Sequence, residues 1–344
     1  MAKAVALFSG GLDSSLAILV VLKQNIEVTA LMFLTHFGCD ISDRSSCSKD
    51  PYPVAERFGF AVKLSHLAGK FLDIVKDPKF GHGKNMNPCI DCRILMLREA
   101  KELMGMIGAD FVVTGEVLGQ RPMSQRRDTL NIIDREAGLK GYVLRPLCAK
   151  LLDPTIPEKS GLVDRNLLYG FGGRSRKPQM SLAREFGLTE YPAPAGGCLL
   201  TEPNYSCRLR ELLRFSPDPS TKDLHLLRLG RHFRFSPTCK AVVGRNEREN
   251  ETLESLVDIA TYVLCVENVG SPLVLLTGGD AGDFVREAAS LCARYSDAKH
   301  LDEVLVSVKK GEETTTLVIA PAQEEFLRRY RIEKRNENQA VRVD

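Results

Sequence analysis

The stretch VALFSGGLDSSLAIL, residues 5–19, sets a polar, glycine-paired hexapeptide between two apolar runs. A strand ending at Phe8, a Gly-Gly turn and a helix starting near Ser14 aim successive backbone N–H groups at one point, where the helix dipole adds roughly half a positive charge. The pattern suits phosphate. It is not a Walker A loop, because no Gly-Lys-Ser/Thr follows it. Ser9, Gly10, Gly11 and Ser14 supply hydroxyl and backbone donors. Asp13 would repel a bare phosphate and makes sense if it reaches a magnesium ion bridging the phosphates. The alternative is a plain strand-to-helix turn with Ser or Asp as its N-cap.

Working outward, further apolar runs at 28–35, 60–64, 110–115 and 142–147 alternate with helical patterns at 12–22, 52–58, 67–76 and 90–107. This alternation predicts an α/β domain with a parallel sheet, whose ligands bind at the carboxyl ends of the strands. From 146 to 207 the chain turns irregular, with Pro and Gly clusters around one convincing helix, PQMSLAREFG (178–187). Strand-like runs with helices between them follow, so the chain is expected to divide into an α/β domain at 1–205 and a smaller α+β domain at 210–344.

The 344 residues are 44% hydrophobic and 26% charged with a net charge of +3, values of a globular protein whose total charge names no partner. The first apolar run breaks at Ser9–Ser15, so no membrane segment is expected and the location is read as cytoplasmic. Ten cysteines without a secretory signal read as core residues, ligands or redox thiols rather than as a disulfide framework.

Two cysteines stand apart in NMNPCIDCR (85–93). Asn87 is placed for an N-cap and Pro88 for the first helical position, so Cys89 and Cys92 fall in the opening turn on one face. The dipole is expected to lower both thiol pKa values. Such a pair serves zinc, redox, cluster or persulfide chemistry. Cys39 and Cys47 lie in a polar insertion and read as loop thiols or extra ligands, whereas Cys148, Cys265 and Cys292 lie in apolar contexts and read as core.

SGGLDS directly after the first strand resembles the signature of the PP-loop ATP pyrophosphatases, with their adenine nucleotide alpha hydrolase-like fold, which use ATP to adenylate a substrate and release pyrophosphate. Three further stretches are similar to the tRNA thiouridine synthases of that superfamily. THFG (35–38) follows the second strand, where the family has its adenine pocket, and the resemblance makes His36 and Phe37 nucleotide contacts. VVTGEVLGQRPMSQ (112–125) looks like the family's TGExLGQxxSQ element, which implies that Gly115 and Gln125 line the ATP site. Arg93 stands where the family has a basic residue facing the nucleotide. The similarity covers about residues 3–205.

The resemblance also implies a third thiol, Cys198 in PAGGCLLTEPN (194–204), as the second functional cysteine of the thiouridylases. In relatives with PCxxC and this later cysteine, three thiolates hold a [4Fe-4S] cluster with one iron open for sulfide. A cluster-free persulfide mechanism and a structural zinc are the rivals. The 4-thiouridine synthases normally carry a THUMP region ahead of the loop, which here begins at residue 9, so a different mode of tRNA docking is expected. Without a rhodanese-like tail, the sulfur is expected from free sulfide or a separate donor protein. Relatives often form homodimers.

Between Ser206 and Arg248, ten Arg and Lys stand against four acids. This basic surface, with Arg228, Arg231, Arg234 and Arg245, and with His232, Phe233 and Phe235 able to stack on bases, points to RNA. A solvated basic face is the plainer reading. LHLLRLGRHFRF…CKAVVGRNEREN also resembles the NFACT-R type domain of RNA-handling proteins. GGRSRKPQ (172–179) offers Arg174, Arg176 and Lys177 to a tRNA backbone. The function expected is an ATP-dependent tRNA sulfurtransferase using ATP, Mg2+ and a [4Fe-4S] cluster. An adenylating ligase on another substrate and an RNA- or ribosome-binding factor are the alternatives.

Overall fold

The computed structural model describes residues 1–38, 50, 52–192 and 198–334, and the chain divides into two units, Met1–Thr201 and Glu202–Asp344. In the first unit, β1 (Lys3–Leu7), β2 (Glu27–Leu34), β3 (Ala61–His66), β4 (Phe111–Val113) and β5 (Val143–Leu144) form a parallel sheet in the order β3-β2-β1-β4-β5. The chain lays down β1, β2 and β3 toward one edge and then returns to place β4 on the other side of β1. The connections leaving β1 and β4 therefore part company at the carboxyl edge, which opens a crevice where such sheets bind ligands.

β1 is buried along almost its whole length because helices cover both of its faces. Alternate residues serve different cores. Ala4, Ala6 and Phe8 join the helix Leu12–Leu22 and Leu182 of the helix Lys177–Glu185. Val5 and Leu7 join Ile94, Leu97 and Ala100 of the helix Cys89–Ile107 and Ile133 of the helix Arg127–Glu136. In this parallel arrangement each crossover helix runs back against the strands, so Leu12–Leu22 and Cys89–Ile107 both start at the carboxyl edge, on opposite faces of the sheet.

The second unit holds β6 (Arg231–Arg234), β7 (Lys240–Val243), β8 (Tyr262–Val266), β9 (Val274–Thr277), β10 (Val304–Lys310) and β11 (Glu313–Ile319). They form an antiparallel sheet in the order β11-β10-β8-β9-β7-β6. The helix Val285–Tyr295 covers one face. Leu226, Leu253 and Leu256 pack with Val242 and Leu275 of the sheet on the other. Among the described residues no helix is long and apolar enough to cross a membrane.

Candidate active site

The loop after β1 is built as the sequence suggests, with the helix starting two residues earlier, at Leu12. Gly10 takes a positive φ of 70°, a conformation that glycine adopts without strain. Gly11 is the N-cap and has no side chain to cap with, and among the described residues no side-chain cap bond is made, which leaves the first N–H groups directed at the crevice. Ser14 donates from its hydroxyl to the Gly11 carbonyl at 2.9 Å, and its oxygen lies 3.3 Å from both the nitrogen and the hydroxyl of Ser9. The two serines thereby brace the turn.

Gly115, just past β4, fixes how closely the second loop approaches. A methyl group there would sit 2.6 Å from the backbone of Asp13 and Ser14, so only glycine lets these two loops touch. Gln120 crosses from the same loop and donates to Asp13 Oδ2 at 2.9 Å. Asp13 Oδ1 and Gln120 Oε1 are buried and have no hydrogen-bond partner among the described residues. Burial pushes the Asp13 carboxyl up, while Gln120, Arg176, Arg121 and Gln179 oppose the shift. Two orphaned acceptor oxygens beside an uncapped helix start fit a magnesium ion shared with phosphate.

Phe37, Gln125 and Arg93, expected from the sequence as nucleotide contacts, each have protein neighbours. Phe37 is fully buried, edge-on to Phe71, so its ring is part of the wall and presents no face to a ligand. Gln125 is also buried, and its Oε1 accepts from the Arg121 nitrogen at 3.0 Å, which makes it a brace of the 117–125 loop. Arg93 is half-buried, with Nε 3.6 Å from Glu116 Oε1. Glu116 in turn accepts from Thr114 at 3.1 Å and from Arg145 Nε at 3.0 Å, and Arg145 grips Asp134 with two bonds of 2.9 and 2.7 Å. His36 lies edge-on to Phe37, with ring centroids 6.3 Å apart.

Cys89 and Cys198 approach one oxygen, and Cys92 lies close enough to feel their charge. Cys89 donates to Asn87 Oδ1 at 3.1 Å, and Cys198 approaches the same oxygen at 3.9 Å. Cys198 is brought there because the next residues are stitched down: Leu199 to the Phe37 carbonyl at 3.2 Å, Met86 to the Leu200 carbonyl at 3.2 Å, and Asn85 to the Thr201 carbonyl at 2.8 Å. Cys92 feels the charge of both other cysteines.

Two expectations about this trio change. Pro88 is the cap and Cys89 the first helical residue. Burial, moreover, pushes the Cys92 thiol up to about 12 and raises Cys198 too, because crowding around the sulfurs outweighs a dipole worth only part of a charge. Among the described residues no group of three or more His, Cys, Asp or Glu is placed to hold a metal ion, so the cysteines as they stand do not form the expected cluster site. Cys39, Cys47 and the glycines before Cys198 lie outside the described residues. Cys148 and Cys292 are buried, while Cys265 is only partly so.

The basic residues of the second unit are more occupied than their sequence suggests. Arg234 pairs with Glu211 at 2.5 Å, Arg245 with Glu249, and Arg231 lies over the Tyr295 ring at 4.4 Å. His232 and Phe233 are fully buried, and Phe235 stacks on Phe284, so these rings serve the core and cannot receive bases. Arg228 is half-buried. In the first unit Arg174 and Lys177 are exposed, whereas Arg176 is half-buried beside Asp13.

With this geometry in view, residues 1–152 match the family model described as Thiamine biosynthesis protein (ThiI). Over these residues the first unit is similar to PP-loop tRNA thiouridine synthases. Residues 230–331 match the NFACT protein RNA binding domain. A bifunctional protein NifU/MnmA of Rubrobacter xylanophilus is 29% identical over 164 residues, covering 44% of this chain and 32% of that one. A tRNA-specific 2-thiouridylase MnmA of Chlorobium luteolum is 28% identical over 196 residues, covering 54% and 48%. The chain thus spans about a third to a half of the length of these relatives. A 4-thiouridine synthetase in complex with RNA and ATP aligns with a TM-score of 0.35 at 21% identity, over 54% of this chain and 52% of that one.

Sequence reasoning missed Gln120 and Gln179. Gln120 stands inside a motif that was read for its glycines and its final glutamine. Gln179 is fully buried on a helix whose other inward residues are apolar, and a lone polar residue on such a face is the signal that could have found it.

Proposed function

We propose that this chain is an ATP-dependent tRNA sulfurtransferase that adenylates a uridine carbonyl oxygen and replaces it with sulfur. One observation carries the reading: an uncapped helix start with orphaned acceptor oxygens and a convergence of three cysteines lie at the same edge of one sheet. Adenylation alone needs only the first.

The carbonyl carbon of uracil is a poor electrophile with a poor leaving group, and AMP on its oxygen corrects the second defect. The backbone N–H groups of the Ser9–Ser14 loop hold the β and γ phosphates as they depart as pyrophosphate. Bound magnesium supplies charge neutralisation there, with Asp13 among its ligands. Glu116, held by Arg145, orients Arg93 toward the nucleotide side of the crevice.

Sulfur arrives on one cysteine as a persulfide, from sulfide with an oxidant or from a donor protein. The terminal sulfur bonds to the activated carbon and AMP leaves with the oxygen. A neighbouring thiol then attacks the inner sulfur, which frees the thiouridine and leaves a cysteine disulfide for an external reductant. The same three cysteines would be the donors of a [4Fe-4S] cluster, but among the described residues their placement does not fit one.

The test is nucleoside mass spectrometry of an unmodified tRNA transcript incubated with anaerobically purified protein, ATP, magnesium and either sulfide or a persulfide donor. A new thiouridine is expected, and iron analysis of the same preparation separates cluster from persulfide chemistry. Pyrophosphate release without thiouridine from either donor would overturn the sulfurtransferase reading in favour of an adenylating ligase.

A further inference from the structure

The segment Gly172–Gln179, basic enough to suggest a hold on RNA, lies instead against the loops of the nucleotide site. Gly173 donates to the Leu118 carbonyl at 2.8 Å, and Leu118 and Gly172 form a short parallel bridge. The loop that carries Leu118 is the one from which Gln120 reaches Asp13. From the other side, the helix Lys177–Glu185 packs on the helix Leu12–Leu22, whose first turn contains Asp13. Three loops, following β1, following β4 and preceding the helix Lys177–Glu185, therefore close around one carboxylate.

What they enclose is short of partners. Gln179 has no exposed surface, and neither atom of its amide completes a hydrogen bond with a described residue. Its amide approaches Asp13 as a long, imperfect hydrogen-bond donor that opposes the rise of that carboxyl's pKa, which leaves Gln179 Oε1 as the atom without a partner. Asp13 Oδ1 and Gln120 Oε1 are orphaned in the same place. A buried amide left unbonded is costly, and native proteins seldom keep one without a water, ion or ligand to complete it. Gln120 donates one N–H of its amide to Asp13, and its atom without a partner is the acceptor Oε1, as Oδ1 is for Asp13. The complement of several converging acceptor oxygens is a hard cation, which takes carboxylate, amide and phosphate oxygens together. Arg176, at the cap of the same helix, forms no ion pair with a described residue, and its charge is felt at Asp13.

We infer that Arg176 and Gln179 form the third wall of the nucleotide site, with Gln179 and Gln120 joining Asp13 as ligands of the phosphate-bound divalent cation and Arg176 facing the phosphates. The inference rests on the reading of the Ser9–Ser14 loop as an ATP site, and it takes Arg176 away from RNA.

The experiment is calorimetric titration of the full chain with α,β-methylene ATP, in magnesium and in EDTA, beside filter binding of unmodified tRNA. Gln179→Leu is expected to weaken analogue binding in magnesium by about tenfold or more, as loss of a bond to a charged group does, with tRNA affinity unchanged. Gln179→Glu, which keeps an oxygen ligand, retains magnesium-dependent binding. Arg176→Ala weakens the analogue in both buffers and leaves tRNA affinity as it was. Gln120→Ala, in a loop, carries the same test as Gln179→Leu should the latter melt early. Analogue binding by both glutamine variants equal to wild type at every magnesium level, or an Arg176→Ala protein that loses tRNA and keeps nucleotide, would overturn the inference while the ATP reading stands. Failure of the wild type to bind the analogue would remove the ATP reading and this one with it.

Discussion

The helices Leu12–Leu22 and Cys89–Ile107 begin at the same edge of the sheet on opposite faces, and they use that position in different ways. Leu12–Leu22 has a glycine cap and no side-chain bond to its first turn, so its N–H groups and its dipole remain available to an anion. Cys89–Ile107 puts two cysteines in its first turn, with Asn87 accepting from one of them. Its dipole has the same sense, yet the Cys92 thiol is driven up to about 12 rather than down. The difference lies in what each end must stabilise: a bound anion brings its own countercharge and solvent, whereas a packed thiolate would have to be created in a crowded site. A helix start is therefore a good place for phosphate whatever surrounds it, and a good place for a thiolate only when it is open.

The strongest test of this division asks whether the two ends fail independently. Asp13→Ala should abolish both pyrophosphate release and thiolation of tRNA. Cys198→Ala should abolish thiolation while nucleotide binding stays at the wild-type level, as read by calorimetry and nucleoside mass spectrometry. Thiolation retained by Cys198→Ala would remove that cysteine from the chemistry and leave the second helix start without a function.

A smaller effect is expected where the first end meets the loop after β4. Gly115→Ala forces a methyl group to within 2.6 Å of the Asp13 and Ser14 backbone, and overpacking of this kind costs about 1–3 kcal/mol. Thermal melting should show the loss, and the analogue's affinity should fall with it because the loop carrying Asp13 is displaced. A variant of unchanged stability would mean that the two loops are free to separate.

The mildest probe is chemical. With its pKa raised to about 12, Cys92 is thiolate in only about one molecule in ten thousand at pH 8, against about a quarter for an ordinary cysteine of pKa 8.5. Alkylation followed by peptide mass spectrometry should find Cys92 nearly inert at pH 8, with a rate that climbs about tenfold per pH unit up to pH 11. Rapid labelling at pH 8 would show that the dipole, not burial, governs this helix start.

Much of the first unit was legible because its strands and helices carry strong periodic signals. The runs near 3–8, 28–35 and 60–64 became β1, β2 and β3 with ends moved by a residue or two. The helix Arg127–Glu136 was not foreseen: its mixed polar surface hides the few residues, such as Leu130 and Ile133, that face the core. Cys89 and Cys198 share the neighbourhood of Asn87, but the upward shift of Cys92 and Cys198 was not readable, since a dipole is a property of one helix and desolvation belongs to everything packed around it. His232 and Phe233 were misjudged for a related reason. Consecutive residues of β6 point to opposite faces, and both faces are covered, which a list of aromatic and basic residues cannot reveal. Gln179 is 59 positions beyond Gln120, and both reach Asp13 through tertiary contacts, the bridge between Leu118 and Gly172 and the packing of the helix Lys177–Glu185 on Leu12–Leu22.

The close approach at Gly115 also limits how such a site can be rebuilt. Because the loops after β1 and β4 share a surface with no room for a single added carbon, neither can be transplanted into another scaffold alone. An engineer who wished to move this nucleotide cradle would have to carry both strands, their spacing in the sheet and the glycine between them as one inseparable cassette.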